Sequence, residues 1–257
     1  GVLPRQIESF SVKQSSTFIP SGSEVNPLGY LSAFVTGNDG LLPINSIVAD
    51  YSGTDIGDIS GIQLFYTRDT IFTVSTQIPS TYTLEGTQIT IEAPSFSLQT
   101  GENYIWITVN VSSSANHSNT IDFSYAANSI DIGGNLFPSS IVSPAGYSTI
   151  EESILYDGFE SALWTMNGDW EVGIPTGLGT DDPTLPYSGS SVLATNLDAN
   201  YTSEIPIETP HKAVSSIVNA KYYKNVKIRY KRWLNIDYFD KTSLKYSVDE
   251  GNTWLTA

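Results

Sequence analysis

Hydrophobic positions along this chain recur with a period of two. The clearest case is "NYIWITVNVS", residues 103–112. Ile105, Ile107, Val109 and Val111 fall on one face, and Tyr104, Trp106, Thr108 and Asn110 on the other. Successive side chains of a strand point to opposite faces. Bulk on both faces predicts a central strand of a sandwich. "INSIVADYSG" and "GIQLFYT" are further β-branched runs punctuated by Gly and Asp, and "TYTLEGTQITIEA" reads as a hairpin about Glu85-Gly86. "TGEN" (Thr100 to Asn103) is a turn. Late in the chain "NVKIRYKRWLNI" alternates: Val226, Ile228 and Tyr230 are predicted to face in, and Lys227, Arg229 and Lys231 out. "SLKYSV" repeats this, with Leu244, Tyr246 and Val248 in and Lys245 out. No stretch reads as an amphipathic helix of normal length, and no repeat has a propeller period. The predicted class is all-β, with two sandwich-like domains in tandem.

The break between them is placed by the loss of pattern. "SSIVSPAGYSTIEES" has no period, and Pro144 and Gly146 interrupt it. A linker is therefore predicted at 143–152, between a first domain over 1–142 and a second over 153–257. The second contains "IPTGLGTDDPTLPYSGSS". Loops longer than ~12–15 residues are uncommon unless they carry function or are disordered.

Composition narrows the partners. The 257 residues are 40% hydrophobic, enough for a real core, and only 15% charged. A net charge of -15 repels phosphate backbones and anionic membranes, so nucleic acid is not an expected partner. The charge is segregated. Residues 151–211 hold 11 acidic and no basic side chains, whereas nine Lys and Arg lie between Lys212 and Lys245. With no cysteine, disulfides and thiolate metal sites do not arise. No run of 18 apolar residues exists to span a membrane as a helix, and no membrane insertion is expected.

"DIGDISGIQLFYT" (Asp55 to Thr67) and "LQTGENYIWITVNVSSSA" (Leu98 to Ala115) resemble a module that precedes sialidase-type repeats in secreted Bacteroidetes proteins, the sialidase or BNR-assembly N-terminal domain. That resemblance implies a β-sandwich and export, not sialidase activity. "YDGFES" (Tyr156 to Ser161), "WEVGIPTGLGTDDP" (Trp170 to Pro183), "YSGSSVLATNLDANY" (Tyr187 to Tyr201) and "KIRYKRWLNIDYFDKTSLKYSVDEGNTW" (Lys227 to Trp254) resemble the jelly rolls of cleaved-adhesin and MAM-like modules. Such modules imply recognition or adhesion, often with structural calcium. Proteins with this pairing are frequently cargo of the type IX secretion machinery, which implies a secreted or outer-surface location. A jelly roll of this kind continues for several strands beyond the hairpin that closes here, so the second module is expected to be incomplete.

By the same resemblance Asp157, Glu160 and Asp240 are implied calcium ligands, since the first and late strands of such jelly rolls meet. Calcium takes six to eight hard oxygens, and backbone carbonyls would supply the rest. The alternative is that these are solvated turn carboxylates. Ser247, Asp249, Gly251, Thr253 and Trp254 spell S-x-D-x-G-x-T-W, which resembles the Asp-box of sialidase propellers. It occurs once, and only Arg5, Arg68, Arg229 and Arg232 exist to form a carboxylate-binding cluster. The box is therefore read as a borrowed structural hairpin: Asp249 accepts turn amides, Gly251 supplies a positive φ and Trp254 packs beneath.

Recognition is expected on the loop from Gly173 to Tyr187. Trp164, Trp170, Tyr187 and Tyr201 could stack on the apolar face of a sugar, and Asp182 could bind beside them. For each tryptophan core packing is the competing expectation, and Trp233 is placed between sheets. His117, in "SSANHSN", and His211, in "TPHKA", have no Ser or Asp at a catalytic spacing. Asn110, Asn116 and Asn200 open glycosylation sequons that a bacterial source would leave unused. "DTI" at Asp69 resembles the Bacteroidetes O-glycosylation pattern, with Thr70 as acceptor. The expected function is non-catalytic adhesion or recognition of surface glycans or proteins within a larger polypeptide. An accessory region of a secreted hydrolase and a spacer are the alternatives.

Overall fold

The computed structural model describes residues 1–161 and 163–257. The chain divides into two units, Gly1–Tyr156 and Asp157–Ala257. In the first, the strands are β1 (Gln6–Gln14), β2 (Thr17–Pro20), β3 (Asn26–Thr36), β4 (Pro43–Asp50), β5 (Ile59–Thr67), β6 (Gln77–Ile78), β7 (Thr81–Glu85), β8 (Gln88–Ser97), β9 (Gly101–Val111), β10 (Thr120–Ile121), β11 (Ile130–Ile132), β12 (Asn135–Phe137) and β13 (Ser148–Glu151). They form two antiparallel five-stranded sheets, ordered β1-β3-β9-β5-β6 and β12-β11-β4-β8-β7. A smaller sheet, β10-β13-β2, contains a parallel pair, β13 with β2.

The alternation in the sequence explains the layers. Ile105, Ile107, Val109 and Val111 of β9 join Leu31, Val35 and Leu64 from the same sheet and Ile44, Ile47, Ile89 and Ile91 from the facing one in a single buried cluster. Burying such side chains contributes roughly 1.5–3 kcal/mol each and dominates the fold's stability. The opposite face of β9 is also covered. Trp106 is buried, packs at 4.8 Å from Tyr30 and 5.4 Å from Phe72, and donates from Nε1 to Thr67 Oγ1 at 2.8 Å. Both faces of β9 are thus filled, as its pattern predicts. The β7–β8 hairpin turns at Gly86, whose φ of +59° favours glycine.

Two buried polar side chains hold the loops of this sandwich. Asn103 is fully buried. Its Oδ1 accepts from Gln99 N at 2.8 Å and from the Tyr66 hydroxyl at 3.2 Å. Its Nδ2 donates to the carbonyls of Gln99 (2.7 Å), Gly101 (2.8 Å) and Ala33 (3.3 Å). The Asp58 carboxylate, also buried, accepts from Asn116 N at 2.9 Å and Asn119 Nδ2 at 2.7 Å. A buried polar group is tolerated because partners replace the water it loses.

The stretch predicted as linker, 143–152, departs from expectation. It contains β13, where Ser148 and Ile150 point inward and the strand runs parallel to β2, pairing Ser148 with Thr17 and Glu151 with Pro20. Only two of its four residues are buried, too short a run to register as a period.

In the second unit the strands are β14 (Trp164–Asn167), β15 (Trp170–Gly173), β16 (Val192–Thr195), β17 (Lys212–Ser215), β18 (Lys245–Tyr246) and β19 (Leu255–Thr256). They pair antiparallel as β14 with β17, β15 with β16 and β18 with β19. The alternating stretch 226–236 forms no strand, and of "SLKYSV" only Lys245 and Tyr246 do. Val226, Ile228 and Tyr230, predicted inward, are 53%, 60% and 58% exposed, and Trp233 lies exposed instead of between sheets. The physical reason is the lack of cover. An alternating segment becomes a strand when a neighbour takes its backbone groups and a facing layer buries its apolar side. Each sheet of this unit has two strands, and no large apolar side chain among its described residues is fully buried.

Candidate functional site

The second unit is organised by carboxylates that fasten its loops. "YSGSS" places Gly189 at φ +63°, a conformation that L side chains rarely adopt. A Cβ there would run into the Glu160 carboxylate. The turn aims its next donors at that group. Ser190 donates from N at 2.7 Å and from Oγ at 2.5 Å, and Ser191 from N at 3.0 Å. The Ser190 hydroxyl and these amides hold the Glu160 carboxyl below its ordinary range. "YDGFES" and "YSGSS" are therefore tied together through one side chain. Asp157 acts over a shorter span: Oδ1 accepts from Phe159 N and Oδ2 from Trp164 Nε1, each at 2.7 Å. Trp164 is half-buried with its indole N–H committed.

Asp169 does the same for the loop at Thr202. It accepts from Thr202 N at 2.5 Å and Thr202 Oγ1 at 3.0 Å, which lowers its pKa, the amide contributing most. His211, for which the sequence showed no partner, meets it here: the Asp169 N–H donates to His211 Nδ1 at 3.1 Å, and Nδ1 lies 3.5 Å from Oδ1.

The loop 174–191 is fastened at several points. Trp233 Nε1 donates to the Asp181 carbonyl at 2.8 Å, Asn235 Nδ2 to the Thr180 carbonyl at 2.5 Å, and Thr180 N to Asn200 Oδ1 at 2.7 Å. Lys231 Nζ sits 4.9 Å from the Tyr187 ring centre, a cation–π distance. The Tyr201 hydroxyl donates to Asp240 Oδ2 at 2.7 Å and accepts from Asp237 N at 2.9 Å. The bond to Asp240 foremost raises the phenol's pKa. Asp182 caps a turn, its N–H reaching the Gly179 carbonyl at 3.4 Å. Trp170 lies on β15 opposite Thr195, half-buried.

The closing hairpin has the geometry its motif requires. Asp249 Oδ2 accepts from Thr253 Oγ1 at 2.6 Å, and Oδ1 from Thr253 N and Ser247 Oγ, each at 2.8 Å. These bonds, the Thr253 hydroxyl first, lower its pKa. Gly251 has φ +88°, and Trp254 Nε1 donates to its carbonyl at 3.0 Å. Trp254 has a further aspect that the sequence did not suggest. With Gly251 it forms one wall of a groove of about 320 Å³, whose other walls are Thr165, Met166 and Asn167 of β14 and Lys212 and Val214 of β17. An indole edge, a lysine and an asparagine amide around one groove are groups suited to a polar, ring-shaped ligand.

The structure does not bring Asp157, Glu160 and Asp240 into one group. Each carboxylate is satisfied by its own protein donors, and among the described residues no three Asp, Glu or His side chains gather as a metal would need. A calcium clasp on these three would require Glu160 to release three donors. Thr70 lies exposed in the loop after β5, where Asp69 Oδ1 accepts from Ile71 N at 2.9 Å.

No protein-family model matches the chain, and no curated protein matches it. Among solved structures it is similar to the Hadza microbial sialidase Hz136, with 13% identity and a TM-score of 0.43 over 65% of this chain. The match spans only 35% of that sialidase chain. It is also similar to a cohesin module from a Clostridium perfringens family 33 glycoside hydrolase: 13% identity and TM-score 0.30, over 57% of this chain and 98% of that one. A third is the sixth cohesin of Acetivibrio cellulolyticus scaffoldin B, in complex with a Cel5 dockerin: 14% identity and TM-score 0.23, over 56% and 99%. None of these likenesses assigns an activity or a ligand to this chain.

Proposed function

We propose that this chain is a non-catalytic recognition region of a secreted or surface-displayed protein, contacting glycans or proteins through its second unit. One observation carries this reading. Asp157, Glu160, Asp169, Glu171, Asp240 and Asp249 are each bound to that unit's own residues, and the resolved shifts of Glu160, Asp169 and Asp249 all run downward. A general acid needs the opposite, a carboxyl held protonated near neutral pH. Side chains used this way build a scaffold, and the loop aromatics and the Trp254 groove are what the scaffold presents. Export through the type IX machinery is the matching proposal for route, and rests on the resemblance of the modules.

The test is glycan-array binding of the full chain, with calcium and with chelator, beside Tyr187→Ala, Tyr201→Ala and Trp254→Ala. The expected result is binding to a defined glycan set that at least one of these variants abolishes without lowering the melting temperature of the first unit. Dependence on calcium would support the metal that the resemblance implies. Silence in every arm, together with no protein captured at a comparable concentration, would leave a spacer and overturn the reading.

A further inference from the structure

We propose that the groove beside Trp254 binds an anionic saccharide, with the carboxylate or sulfate of the sugar set on Lys212. This rests on the recognition reading and names the ligand class of one surface within it. One side of the groove is built on two rungs of the β14–β17 pair, Thr165 opposite Val214 and Asn167 opposite Lys212. Alternate residues of a strand share a face, so these four side chains form one patch. The closing hairpin supplies the facing wall. Trp254 is 43% exposed, and its ring is held in place because Nε1 donates to the Gly251 carbonyl at 3.0 Å. An aromatic ring already fixed loses little freedom when the apolar C–H face of a sugar stacks on it. The volume, about 320 Å³, lies at the lower end of the ~300–1,000 Å³ typical of ligand pockets, which suits a short saccharide.

The polar groups select the charge. Asn167 Oδ1 accepts from Lys212 N at 2.7 Å, which sets the amide's orientation and leaves Nδ2 to donate. The Lys212 side chain is exposed, and among the described residues no carboxylate pairs with its ammonium. Thr165 adds a hydroxyl, and no carboxylate lines the groove. Asp169 and Asp249, close in sequence to its walls, are held by Thr202 and Thr253. The hydroxyls of a neutral sugar need acceptors as well as donors, whereas a carboxylate or sulfate only accepts. An ammonium, an amide NH₂ and a hydroxyl beside an aromatic ring therefore match a sugar that carries an anion. The match is selective because residues 151–211, which contribute β14, hold 11 acidic and no basic side chains. The net charge of -15 acts on a ligand through solvent and is screened within about 8–10 Å at physiological salt. Lys212 acts at contact.

The experiment titrates the full chain with trigalacturonate, with its neutral methyl ester and with a sulfated galactose trisaccharide. Calorimetry reads affinity, and the NMR shifts of the Trp254 indole N–H and of the Asn167 and Lys212 amides read the place. An anionic sugar should bind more tightly than the ester and move those signals; which anion binds identifies the group the site takes. Lys212→Gln keeps the backbone bond to Asn167 and should lower the affinity for the anionic sugar roughly fivefold, to the level of the ester. Lys212→Arg should retain it. Lys212→Glu should prefer the ester to the acid, a reversal that misfolding cannot produce. Equal affinity of the parent for acid and ester would overturn the proposal and leave the recognition reading standing. So would anion binding that Lys212→Gln leaves unchanged and Tyr187→Ala or Tyr201→Ala abolishes, which would place recognition on the loop aromatics. A triglutamate peptide bound as tightly as trigalacturonate would overturn it as well, since the groove would then take any anion. Silence toward all three sugars overturns this proposal alone; the recognition reading falls only when the glycan array and the protein capture are silent too.

Discussion

Asn103 offers the sharpest test of how the first unit is held. Replacing it with alanine removes the acceptor of the Gln99 amide and the donor to three carbonyls, at a site with no exposure. An orphaned buried donor costs ~1–3 kcal/mol, and the lost side-chain volume adds to it. A total of about 3 kcal/mol is expected, on the order of a hundredfold in the unfolding equilibrium. For a unit of this size that lowers the melting temperature by roughly 6–12 °C. Urea denaturation followed through the emission of buried Trp106 is the assay. Asn103→Asp makes the argument stricter. It keeps the Oδ1 acceptor but turns a carboxylate oxygen toward the carbonyls of Gln99 and Gly101, at 2.7 and 2.8 Å in the parent. That carboxyl titrates above its unfolded value, so its penalty is full above the folded pKa and fades as pH falls toward ~3.9. Asn103→Asp should therefore be less stable than Asn103→Ala near neutrality and recover on acidification. A melting temperature for Asn103→Ala within about 1 °C of the parent would refute the reasoning.

The remaining predictions concern the core and the second unit. Ile107→Ala empties a buried position between the two sheets and should cost ~2–5 kcal/mol by urea denaturation. Glu160 has a folded pKa below its ordinary 4.5, so the hold it contributes is complete above that value and lost as pH falls through the lowered one. The Ser190 and Ser191 amide shifts, followed by NMR, should move in that acid window and stay flat in Glu160→Gln. Asp249→Ala should free Thr253 and loosen the closing hairpin, visible as faster amide exchange from Ser247 to Trp254 with the first unit unchanged.

Alternation made β4, β5, β9 and the β7–β8 hairpin legible, because a period of two is written locally in each strand. The order of the strands was not legible. β9 pairs with β3 from Gly101 opposite Val35 to Val109 opposite Asn26, and such distant registers leave no local trace. Asn103 and Asp58 passed unnoticed because a buried polar residue looks like a turn residue until its partners are known. Glu160 stood out for a different reason than the structure gives it: the signal for its partner was the glycine between serines in "YSGSS", which lets consecutive amides converge. The pattern in 226–236 was read correctly as alternation, but alternation states which face would be buried and not whether anything covers it.

The parallel seam between β2 and β13 bears on how the first unit responds to force. These strands lie near opposite ends of the unit and run in the same direction, Thr17 beside Ser148 and Pro20 beside Glu151. If the chain is pulled from both ends, β1 must first leave β3. Tension then draws β2 and β13 in opposite senses along their length. Rungs loaded in this way share the strain, whereas a hairpin opened from its end gives way one bond at a time. Forced rupture is set by the unfolding barrier and not by equilibrium stability. A domain anchored at one end and gripping something at the other would carry its load through this short seam.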